Sequence, residues 1–101
     1  MKLFICENER LFSPGLPADH IERYIAADKI DEMGVKAFPA GYSINGTLDN
    51  GAICTIRLGR LPSQAEAERA FRALCELIGK HSTPQPGTAM IAFNGREWFY
   101  Q

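Results

Sequence analysis

A chain of 101 residues, 46% apolar and 23% charged, has material for one modest core, and a single domain over 1–101 is expected. Its net charge of −1 supplies no overall field toward nucleic acid or an anionic membrane, and no run reaches the ~18 apolar residues of a membrane span. Cys6, Cys54 and Cys75 lack paired spacing, which points to reduced thiols and a cytoplasmic chain rather than a disulfide scaffold.

The opening run, Lys2–Cys6, is apolar and of strand length, too short for a signal peptide. Arg10–Phe12 is read as a short return strand, ended by Ser13-Pro14-Gly15. From Pro17 the spacing predicts a helix. Asp19 and Glu22 sit where a helix N-terminus favours negative charge. Ile21, Tyr24 and Ile25 form one apolar stripe, Ala26, Ile30 and Met33 continue it with a rotation, and Gly34 is the expected stop. The drift near Ala27-Asp28 leaves room for a break in which Asp28 caps a second short turn.

Val35–Ala40 leads into the most regular stretch, Gly41–Gly59, which reads as a hairpin closed by Asp49-Asn50-Gly51. The expected connection is a type I turn followed by Gly51 in the left-handed region. The register pairs Leu48 with Ala52, Gly46 with Cys54, Ile44 with Ile56 and Tyr42 with Leu58. One face is then apolar, and the other carries Ser43, Asn45 and Thr47 against Ile53, Thr55 and Arg57.

Ser63-Gln64-Ala65-Glu66 is a capping box. It opens a helix whose buried face is Ala67, Ala70, Phe71, Leu74, Leu77 and Ile78, with Glu68 and Arg72 paired on the wet side and Gly79 as its end. Ser82–Gly87 is a loop. Thr88–Gln101 reads as a second hairpin around a type I′ turn at Asn94-Gly95, with Phe93 facing Arg96, Ile91 facing Trp98 and Ala89 facing Tyr100. Both of its faces carry large apolar groups. The order strand, helix, strand, strand, helix, strand, plus a terminal strand, predicts a ferredoxin-like α+β sandwich: a βαββαβ antiparallel sheet with two helices on one face and an added C-terminal β-hairpin strand.

Chemistry-bearing patterns are sparse. Cys6, Cys54, Cys75, His20 and His81 lack zinc-ligand spacing, and neither phosphate-loop pattern occurs, so no cofactor or metal is expected. Cys54 belongs to the core face. Cys6 and Cys54 come close if the first and third strands are neighbours, but no base accompanies them. His20 follows Asp19, and His81 lies past a helix end, where the dipole favours it. Asp28, Asp31 and Glu32 would share a helix face, most simply a solvated one. An open sheet face raises RNA binding through Lys2, Arg57 and Arg60, but it lacks the aromatics that stack bases.

Two features remain unabsorbed. Ile53 sits beside Arg57 on the wet face of the hairpin. Arg96, Trp98 and Tyr100 concentrate the residue types that dominate interfaces. The favoured reading is a non-enzymatic protein-binding module, a small regulator or inhibitor of the phage or mobile-element kind docking on a larger assembly. Partner binding falls to Ile53, Arg57, Arg96, Trp98 and Tyr100, and a homodimer through an edge strand is open. The alternatives are a small-molecule sensor or compact enzyme with a pocket near Cys6, Cys54 and His20, and a nucleic-acid-binding domain.

Overall fold

A computed structural model of the chain describes residues 2–7, 23–83 and 86–101. Among these residues it has seven strands and one α-helix: β1 (Lys2–Glu7), β2 (Arg23–Ala26), β3 (Ile30–Phe38), β4 (Gly41–Leu48), β5 (Ile53–Gly59), α1 (Gln64–Lys80), β6 (Thr88–Phe93) and β7 (Trp98–Tyr100). A 3-10 turn at Ala27–Lys29 joins β2 to β3. The strands form two sheets, ordered β2-β1-β6-β7 and β3-β4-β5.

In the first sheet β1 pairs antiparallel with β2 and parallel with β6, Leu3 opposite Ala89 and Ile5 opposite Ile91. Both central strands are apolar on alternate and intervening positions, the pattern of strands covered on two sides. The second sheet is an antiparallel meander. Ile44, Cys54, Ile56 and Leu58 turn inward and join Leu3, Ile5, Ile25 and Ile91 in one core. Ile44 and Ile56 are fully buried, each contributing about 1.5–3 kcal/mol by removal from water.

Helix α1 lies against β3, β4 and β7. Ala67, Ala70 and Leu74 are its buried stripe, at the spacing an amphipathic helix requires. Ser63 caps it, its Oγ accepting from the Glu66 N–H at 3.4 Å. The Glu66 carboxylate turns to Arg69 at 3.0 Å, and Glu68 accepts from Gln64 rather than pairing with Arg72. The helix runs one residue past Gly79 and is capped at His81, whose N–H donates to the Leu77 carbonyl.

The two-helix ferredoxin-like arrangement is overturned. Where a helix was expected up to Gly34, the described part is β2, the 3-10 turn and the first half of β3. The cause is a bulge between Ile30 and Glu32. An extra residue in one strand shifts its alternation, so Ile30 and Met33 both pack on the core at a three-residue separation that mimics a helix. Asp31 and Glu32 lie on a strand, so the helix-face acidic cluster is withdrawn. Arg10–Phe12, Pro17 and His20 lie outside the described residues.

The central hairpin keeps the expected pairs Gly46–Cys54 and Ile44–Ile56. Gly51 has φ +85°, and its N–H donates to the Leu48 carbonyl while the Leu48 N–H donates to that of Ala52, the predicted turn. At the far end a bulge sets Tyr42 opposite Gly59 instead of Leu58. There the backbones approach so closely that a Cβ on Gly41 would lie 2.3 Å from the Gly59 carbonyl oxygen. The terminal hairpin is offset by two residues from its expected register: Phe93 faces Trp98 and Ile91 faces Tyr100. A type I′ turn needs positive φ at Asn94, which the structure lacks. Instead the Asn94 side-chain oxygen accepts from the N–H groups of Arg96 and Glu97.

Candidate interaction surface

The singled-out residues fall on two separate sheets. Ile53, Thr55 and Arg57 alternate with the buried Cys54 and Ile56, so they face away from the core on the edge strand β5. Pairing across the sheet aligns Lys36, Ser43 and Arg57 in one row, and Gly34, Asn45 and Thr55 in the next. Ile53 stands opposite Thr47 and is 73% exposed.

A recess of about 230 Å³ follows this face, lined by Lys36, Phe38, Ser43, Asn45, Thr55 and Arg57. Its floor is set by Ser43, which is buried and donates to the Asn45 side-chain oxygen at 2.7 Å. A second hollow, about 390 Å³, runs beside it from Glu32 to Ile53. Lys36 and Phe38 were not among the expected contacts. Their signal is the alternation of Met33 and Val35 inward against Gly34, Lys36 and Phe38 outward, hidden by reading the preceding residues as helix.

The C-terminal residues divide. Trp98 is half-buried, its indole N–H donates to the Ala70 carbonyl at 2.8 Å, and its ring lies 5.1 Å from that of Phe93. It fastens β7 to α1. Tyr100 is 51% exposed and shares a 2.8 Å hydrogen bond with the His81 Nε2, the rings edge-on at 5.7 Å. Arg96 projects from the turn, exposed. Exposed apolar surface on β7 is therefore Phe99 and Tyr100.

None of the three cysteines forms a disulfide among the described residues; Cys6 and Cys54 are buried and Cys75 is exposed. Burial pushes the Cys54 thiol up, and the negative charge of Glu7 pushes it further. Partial desolvation of its sulfur also raises Cys75, although the residue as a whole is exposed. Both shifts run opposite to the depression that makes a thiolate nucleophile. Glu7 is itself buried; it accepts from the Thr55 N–H at 3.2 Å and pairs with Arg23 at 3.3 Å, tying the end of β1 to the edge of β5. A recess of about 250 Å³ lies elsewhere, where Lys2, Asp28 and His81 meet near the C-terminus of α1.

No protein-family model, curated protein or solved structure matches this chain. Among the described residues no helix is long and apolar enough to cross a membrane.

Proposed function

We propose that this chain is a non-enzymatic protein-binding module, a small regulator or inhibitor that docks on a larger protein through the open face of β3, β4 and β5. The observation that carries this reading is Ile53. A β-branched apolar side chain at 73% exposure contributes nothing to the core, yet it stands on a sheet face that also presents Arg57, Lys36 and the half-buried Phe38. An apolar side chain ringed by polar and cationic groups is the composition of an interface centre and its rim. The same reading places the module in the cytoplasm, where cysteines outside disulfides stay reduced.

The test uses the full chain as bait in an extract of its native host, beside matched baits Ile53→Asp and Arg57→Glu. Both variants change outward side chains and should fold as the parent does. A protein captured by the parent and lost with both variants is the expected result. Identical recovery by all three baits, or recovery of nucleic acid alone, overturns the proposal.

A further inference from the structure

Among the described residues strand β3 is the longest and forms an edge of its sheet, paired with β4 on one side only. The hydrogen-bond direction along that edge follows from the hairpin turn. Leu48 donates to Ala52, and an antiparallel ladder alternates bonded and non-bonded pairs. Ser43 and Asn45 therefore direct their backbone groups toward β3, where they meet Lys36 and Gly34. The backbone groups of Met33 and Val35 then point off the free edge. Thr55, in the same phase on the opposite edge, sends its N–H to Glu7, as this alternation requires.

We propose that this edge binds a second copy of the chain, β3 against β3 antiparallel about a twofold axis at Gly34, making a six-stranded sheet. In that register Glu32 of each copy stands opposite Lys36 of the other, on the outer face. Both side chains are exposed. Four residues along a strand separate them by ~13 Å, too far to pair within one copy, and neither has an oppositely charged partner among the described residues. On the inner face Met33 of one copy meets Val35 of the other. Both pack against the core while half-buried, so pairing extends the apolar face across the axis. Gly34 opposes Gly34, and a Cβ there would meet nothing within 4 Å, so no side chain obstructs the centre.

Competing registers are poorer. Moving the axis one residue either way loses both ion pairs, and moving it two residues sets Glu32 against Glu32 or Lys36 against Lys36. A lysine on an edge strand ordinarily discourages pairing; in the symmetric register it meets glutamate. The proposal does not depend on a protein partner, and pairing would join the two open faces into one continuous surface.

Sedimentation equilibrium of the full chain at high micromolar concentration tests it. The expected mass is twice 11.2 kDa. Glu32→Lys and Lys36→Glu singly place like charges opposite each other at two symmetric positions and should each weaken self-association about tenfold or more. The double exchange restores the pairing and should restore the dimer. Val35→Pro removes an outward N–H that β4 does not use, so the chain keeps its far-ultraviolet circular dichroism and becomes monomeric. A monomeric parent, a dimer indifferent to Val35→Pro, or a double exchange as weak as the single ones overturns the proposal.

Discussion

The two sheets close off their side chains differently. In β2-β1-β6-β7, Leu3, Ile5, Ala89 and Ile91 turn to the shared core, yet Cys6 and Ala92 on the opposite face are also 1% and 0% exposed. In β3-β4-β5 one face is buried, while the other holds Ser43 buried at its centre and opens toward Ile53, 73% exposed. Connectivity explains the contrast. A parallel pair such as β1 and β6 sits where both faces are covered, whereas an antiparallel meander needs only one covered face to be stable. The open sheet is thus where a residue can be present for some reason other than the core.

The largest test of that contrast sets Phe93→Ala against Ile53→Ala. Phe93 is 1% exposed and packs on Trp98, so its truncation should cost about 3–5 kcal/mol in urea unfolding. Truncating Ile53 should stay within about 0.5 kcal/mol of the parent. Comparable losses would abolish the distinction between a closed and an open sheet. A smaller effect tests the joint between them. Glu7→Ala leaves the Thr55 N–H without its acceptor and should cost about 1–3 kcal/mol, whereas Glu7→Gln keeps an acceptor and should cost less. Equal losses from the two would assign the effect to Arg23 pairing instead.

The smallest effect is a pH dependence. Burial and Glu7 hold the Cys54 pKa above its ordinary 9.0. Below that value both states keep the proton, and this thiol adds no slope. Above it the unfolded chain ionises while the folded chain retains its proton, so the unfolded state binds fewer protons and stability falls as pH rises through the folded pKa, by at most ~1.4 kcal/mol per unit. Cys54→Ala should flatten that alkaline decline in a pH series of urea midpoints. An unchanged slope would mean that the thiol exchanges its proton as freely in the folded core as in the unfolded chain.

The meander's second hairpin was legible because its signals are local: alternation over seven residues and a turn whose Gly51 has a steric reason to be glycine. Helix α1 was legible for the same kind of reason, through Ser63 and the Ala67, Ala70 and Leu74 stripe. Residues 23–38 were not. The bulge after Ile30 gave a strand the spacing of a helix, and Gly34, read as a helix stop, occupies the middle of β3. The side-by-side placement of β1 and β6 left only an indirect trace, apolar residues on both faces of each run, because nothing near Lys2 encodes pairing with Thr88. On the candidate surface Ile53 and Arg57 stand on one face as alternation required. The third strand that adds Lys36 and Phe38 became visible only in the fold.

The pairing of Lys2 with Thr88 also bears on the order in which the molecule assembles. Closing so long a loop carries an entropic cost before any contact repays it, and such non-local pairings slow folding. The β3–β5 meander needs only neighbouring residues and can form while the C-terminal third of the chain is still being synthesised. Strand β1, made first, has to wait for β6 and would finish last. Until then one edge of β1 can hold β2 while the edge that takes β6 stays unpaired, and the window for misassociation during synthesis lies at that edge rather than in the central hairpin.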